Sequence, residues 1–148
     1  MEYNNETTLE FKSLSENESL ARACVASFCA ILNPTIEQLA DIKTAVSEAV
    51  TNCVVHAYPN NVGNVLINVK IVDREIFITI TDFGIGISDI DKAREPFFTS
   101  KPSIERSGMG FTVMESFMDG VVVHSKPNFG TEVKLIKKLE AIRCVVGG

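Results

Sequence analysis

Apolar residues recur along this chain with two periods. Leu20, Cys24, Phe28 and Ile31 follow one another at steps of three and four, which predicts a helix with that stripe on its buried face. Ser15 followed by Glu18 reads as a capping box opening the helix, and Asn33-Pro34 ends it. Thr35 with Gln38 repeats the capping pattern. It opens a longer helix whose stripe runs through Ile36, Leu39, Ile42, Val46, Val50 and Cys53, and which Pro59-Asn60-Asn61-Val62-Gly63 breaks.

The second period is two. Thr7 to Phe11 alternates weakly, as an edge strand would. Val65, Ile67, Val69 and Ile71 alternate with mainly polar neighbours, Asp73-Arg74 turns the chain, and Ile76, Ile78 and Ile80 alternate again up to Asp82. That is an antiparallel hairpin with one face on a core. From Phe83 to Gly110 periodicity fades, and long loops inside compact domains are usually functional. Phe111 to Met118 suggests a short helix. Val121–His124 and Thr131–Lys137 suggest two more strands around an Asn128-Phe129-Gly130 turn. Paired strands and grouped helices favour an α+β two-layer sandwich over alternating βαβ units, in one domain spanning 1–148.

Bulk properties narrow the function classes. The chain has 148 residues, 45% of them hydrophobic and 22% charged, ordinary for a globular protein. A net charge of −5 without a basic run argues against direct nucleic-acid binding. No stretch approaches the roughly 18 apolar residues of a membrane span, and the start lacks the pattern of a signal peptide, so a cytoplasmic location is expected. The cysteines Cys24, Cys29, Cys53 and Cys144 form no Cys-x-x-Cys pair, and buried reduced thiols are expected.

Three segments carry candidate chemistry. Glu48, Asn52 and His56 stand four residues apart on the second helix, so a carboxylate, an amide and an imidazole would form a ladder beside the core. On its own, that ladder also suits a solvated helix face, and His56 suits a helix cap or a core position as well as a catalytic one. Asp82-Phe83-Gly84-Ile85-Gly86 follows a strand. Its carboxylate can accept from a ligand amino group, while Gly84 and Gly86 let backbone approach a flat ring. Ser107-Gly108-Met109-Gly110-Phe111 precedes a helix, whose first amides suit phosphate, and Lys101 and Arg106 add two cations to the same loop. Each glycine pair also fits plain turn chemistry. Walker and kinase signatures are absent apart from an isolated Asp-Phe-Gly.

Taken together and in this order, the three segments resemble the GHKL (Bergerat-fold) ATPases, over residues from about 10 to 138. The resemblance implies a two-layer fold with a mixed, mostly antiparallel sheet covered on one face by helices. It implies ATP and ADP as ligands with magnesium. It assigns Glu48 as a base, Asn52 as the magnesium ligand, and Asp82, Gly84, Gly86, Gly130 and Thr131 to adenine. Lys101, Arg106, Ser107, Gly108, Met109 and Gly110 would belong to a lid, about 87–110, that closes over the phosphates.

Within that family, Glu-Ala-Val-Thr-Asn followed by His-Ala-Tyr, Pro-Phe-Phe-Thr-Ser-Lys-Pro and Arg-Ser-Gly-Met-Gly-Phe look like the anti-sigma serine kinases. Only about 45 residues precede the Glu48 segment, so the upstream phosphorylated-histidine domain of histidine kinases is not expected. Their longer second glycine segment is also missing. The branch implies two layered functions: sequestering a sporulation (sigma F-like) sigma factor, and phosphorylating a serine of an anti-anti-sigma protein. A general-stress anti-sigma kinase and an ATP-gated sequestering module with little kinase activity are the alternatives. The Leu-Ala-Arg at Leu20–Arg22 matches this branch. Arg22, off the predicted stripe, is expected to be exposed, either simply solvated or in contact with a partner, and a homodimer is implied.

Overall fold

The computed structural model describes residues 4–87 and 110–139. In chain order these form strand β1 (Asn4–Lys12), helix α1 (Asn17–Cys29) and a 3₁₀ turn (Ala30–Leu32). Helix α2 (Ile36–Asn52) follows, continued by a π-helical segment (Cys53–Ala57), then strands β2 (Asn64–Val72) and β3 (Glu75–Asp82). Beyond the undescribed stretch come helix α3 (Gly110–Phe117) and strands β4 (Gly120–Lys126) and β5 (Gly130–Lys138).

The strands form one sheet in the order β1-β2-β3-β5-β4, and all four pairings are antiparallel. No parallel pair enters it among the described residues, so the expected mixed sheet is antiparallel throughout. Alternation does what the sequence pattern requires. Val65, Ile67, Val69 and Ile71 of β2 and Ile76, Ile78 and Ile80 of β3 are at most 1% exposed. Each such side chain contributes roughly 1.5–3 kcal/mol by leaving water. Ile42, Val46 and Val50 of α2 and Met114 of α3 meet them from the helical layer. The two-residue turn at Asp73-Arg74 forms as read, with Asp73 in the left-handed region at φ 54°.

Two helix expectations need correction. In α1 the buried residues are Ala21, Val25 and Cys29, followed by Leu32 of the 3₁₀ turn, one position along from the predicted stripe. Leu20 and Ile31 are 44% and 45% exposed, and Cys24 is exposed too. The helix carries two adjacent apolar stripes. The one with the small Ala21 packs inward, where close approach to α2 is needed. The predicted Ser15–Glu18 box does not form: Asn17 starts the helix, no side chain caps it, and the Glu18 carboxylate instead accepts from the Thr51 hydroxyl of α2 at 3.0 Å. The Thr35–Gln38 box does form, with both reciprocal hydrogen bonds. Ile36, at the first position of α2 and expected in its buried stripe, is 91% exposed. Cys29 and Cys53 are buried free thiols as expected, Cys24 is exposed, and Cys144 lies outside the described residues.

Candidate functional site

Asp82 ends β3, flanked in register by Val65 of β2 and Thr131 of β5. It is 6% exposed. Its Oδ1 accepts from the backbone amides of Gly84 at 3.0 Å and Thr131 at 3.2 Å, and its Oδ2 accepts from the Cys53 thiol at 3.5 Å. Burial raises the Asp82 pKa above the ordinary carboxylate value, against the pull of these three donors. Burial, with the Asp82 charge beside it, pushes the Cys53 thiol well above its usual range, so it stays an S–H donor.

The segment after Asp82 is tied down on both sides. The Ile85 amide donates to the Ala57 carbonyl at 2.9 Å, and Gly84 lies directly against that carbonyl. Gly86 takes φ +76°, which disfavours a side chain. The Ile87 amide donates to the Ser125 hydroxyl at 2.6 Å, and that hydroxyl stands 2.8 Å from the Thr131 hydroxyl. The Tyr58 hydroxyl accepts from the Phe83 amide at 2.7 Å and donates to the Asn64 carbonyl at 2.6 Å.

Glu48 and Asn52 occupy successive turns of one face of α2 and are both half-buried. At Cys53 the backbone widens to π geometry, a rare feature that favours functional sites. His56 lies within this segment, one turn beyond Asn52, and is half-buried. Gly110 opens α3 beside Asn52: a β-carbon there would lie 3.2 Å from Nδ2 and 3.3 Å from Oδ1. The bare glycine thus lets the start of α3 come close to the amide. Consecutive residues at the helix end thus serve two directions, Asn52 toward α3 and Cys53 toward Asp82.

Comparison with known proteins accords with this arrangement. The histidine kinase-like ATPase domain profile matches residues 11–137. The chain belongs to the histidine kinase-like ATPase family. It is 55% identical over 136 residues to the anti-sigma F factor of Bacillus velezensis, covering 91% of this chain and 93% of that protein. It is 56% identical over 137 residues to the anti-sigma F factor of Caldanaerobacter subterraneus subsp. tengcongensis, covering 93% and 96%. The structure of the RsbU and RsbW domains of a Mycobacterium tuberculosis protein superposes with TM-score 0.65 at 16% identity. It matches 90% of this chain, which spans 32% of that longer one, and the likeness is one of fold.

For this family member, the structure brings together Glu48, Asn52 and Gly110 on one side and Asp82, Gly84, Gly86 and Thr131 on the other. Lys101, Arg106, Ser107, Gly108 and Met109 lie outside the described residues. Arg22 lies on α1 and is not fully exposed as expected. Its guanidinium reaches Ser47 Oγ at 3.3 Å and Glu18 at 3.9 Å, leaving 38% of the side chain in solvent. Sequence reasoning missed Tyr58 and Ser125 as parts of the site, and took Cys53 for a core residue. Tyr58 stood in the His-Ala-Tyr signature without a role, and nothing near Ser125 signals its contacts to Ile87 and Thr131.

Proposed function

We propose that this chain is an anti-sigma factor of the sporulation type that binds ATP and phosphorylates a serine of an anti-anti-sigma protein. The observation that carries this reading is the single helix end from which Asn52 faces the start of α3 while Cys53 meets Asp82. A nucleotide whose base lies at Asp82 and Thr131 would run its phosphates past Asn52 toward Gly110 and the lid, about 87–110. The lid residues Lys101, Arg106, Ser107, Gly108 and Met109 then supply cations and amides to phosphate oxygens.

Magnesium fits the residues present. No group of three acidic, histidine or cysteine side chains gathers among the described residues. A magnesium ion bound with nucleotide needs few protein ligands, because water and phosphates complete its shell. Asn52 would hold it, and when bound it offsets phosphate charge. Glu48, one turn earlier on the same face, accepts the proton of the acceptor serine hydroxyl.

Relatives at about 55% identity named anti-sigma F factor support a sporulation sigma factor over a general-stress partner. Arg22, oriented by Ser47 and Glu18 with part of its side chain still in water, suits a partner-protein contact. Replacing it should weaken partner binding and leave ATP binding intact. Exposed Cys24 and Ile31 lie beside β1, the outer strand of the sheet among the described residues. Between them runs a groove of about 550 Å³ lined by Thr7, Leu9, Cys24, Phe28 and Ile31. An apolar stripe next to an outer strand fits a second copy of this chain, and so a homodimer. No described helix is long and apolar enough to cross a membrane; the reading itself requires a cytoplasmic location.

The deciding experiment incubates the protein with labelled ATP, magnesium and a candidate anti-anti-sigma protein. Glu48→Ala should keep nucleotide affinity and lose phosphotransfer by roughly 100-fold or more; unchanged transfer removes Glu48 from the mechanism. Sigma affinity should be lower with ADP than with ATP. Equal affinities would separate the two activities.

A further inference from the structure

The three hydrogen bonds on Asp82 are unevenly divided. Both backbone amides go to Oδ1, and the bond to Oδ2 comes from Cys53 at 3.5 Å. A carboxylate fixed at one oxygen keeps rotational freedom, because its terminal torsion is broad. A donor on the second oxygen removes that freedom. Cys53 provides it from a rigid seat, the first residue of the π-helical segment, 5% exposed. Buried in this way, the thiol is an inert hydrogen-bond donor and not a nucleophile.

We propose that Cys53 is a positioning residue for base recognition. Its thiol holds Oδ2 of Asp82 in the orientation that accepts from the exocyclic amino group of a 6-aminopurine nucleotide. This inference rests on the adenine reading of Asp82 given above. It goes further by assigning part of the preference for an amino-bearing purine to a side chain that need not touch the base. Thiol donors are weak. The effect should therefore be a tuning of selectivity, with binding retained.

Two ligands separate orientation from general damage: ATP, and purine riboside triphosphate, which is the same molecule without the 6-amino group. Both are titrated with magnesium into the wild type, Cys53→Ala, Cys53→Ser and Asp82→Asn, with folding checked by circular dichroism. Cys53→Ala should weaken ATP about three- to tenfold while leaving the analogue within about twofold, the range of one modest hydrogen bond. Cys53→Ser, which restores a donor, should return ATP to within about twofold of wild type. An equal loss for both nucleotides would reduce Cys53 to a packing residue and overturn the proposal, as would an unchanged ATP affinity in a folded alanine variant. Should that variant not fold, Cys53→Val fills the space without a donor and carries the same comparison. The base reading fails separately: it falls if Asp82→Asn binds ATP as tightly as the wild type.

Discussion

The α-carbon of Gly84 stands so close to Ala57 that a β-carbon added to it would lie 2.0 Å from the Ala57 carbonyl oxygen. The obstacle is backbone, and that oxygen is already engaged by the Ile85 amide, so it has little room to give. Gly84→Ala should therefore lose about 3 kcal/mol of stability, at the upper end of ordinary overpacking costs. Urea denaturation measures it. ATP titration of the folded fraction should show binding reduced as well, because the same displacement moves the amide that holds Asp82.

Tyr58→Phe removes one hydroxyl and two hydrogen bonds. The Phe83 amide loses its acceptor and the Asn64 carbonyl loses its donor. An expected loss of about 1–3 kcal/mol follows, and hydrogen exchange at Phe83 should quicken.

Asp82 makes stability depend on pH in a defined direction. Its folded pKa is raised above 3.8, mainly by burial. The fold thus prefers the protonated form. Relative to Asp82→Asn, the wild type should be most favoured below about that ordinary value. The advantage should decline as pH rises through the elevated folded value. Nucleotide affinity should run the opposite way, since only the ionised carboxylate accepts freely from an amino group. Denaturation and ATP titration across the same acidic range test both signs.

Ile31, 45% exposed, lies in the apolar stripe beside β1. Ile31→Asp places a charge there without disturbing the core and, on the homodimer proposed above, should leave only monomer in sedimentation where the wild type sediments as a dimer, with thermal stability of the monomer unit nearly unchanged. A dimer that survives the change would move the interface elsewhere.

The sheet and the long helix were legible because burial on one face imposes a strict period. Ile76, Ile78 and Ile80 could not change face without exposing all three. Helix α1 was less legible, since two apolar stripes sit side by side in its sequence and only packing against α2 selects between them. Ser15 and Glu18 spelled a cap, but Thr51 offers Glu18 a better partner from a distant part of the chain. Asp82, Asn52 and the glycines announced themselves through residue type and spacing. Cys53 did not, because a thiol in an apolar stripe looks like packing until its neighbour across the fold is known.

The wide turn from Cys53 to Ala57 has an implication for engineering. It holds one residue more than an ordinary helical turn needs, so excising one would give a smoother and intrinsically sturdier helix. The excision would also swing the Ala57 carbonyl and the Tyr58 ring out of phase with the strand end they secure. Helix regularity and the geometry of the strand end are opposed at this bend: the shortened chain should lose the bonds to the Phe83 and Ile85 amides, and with them stability.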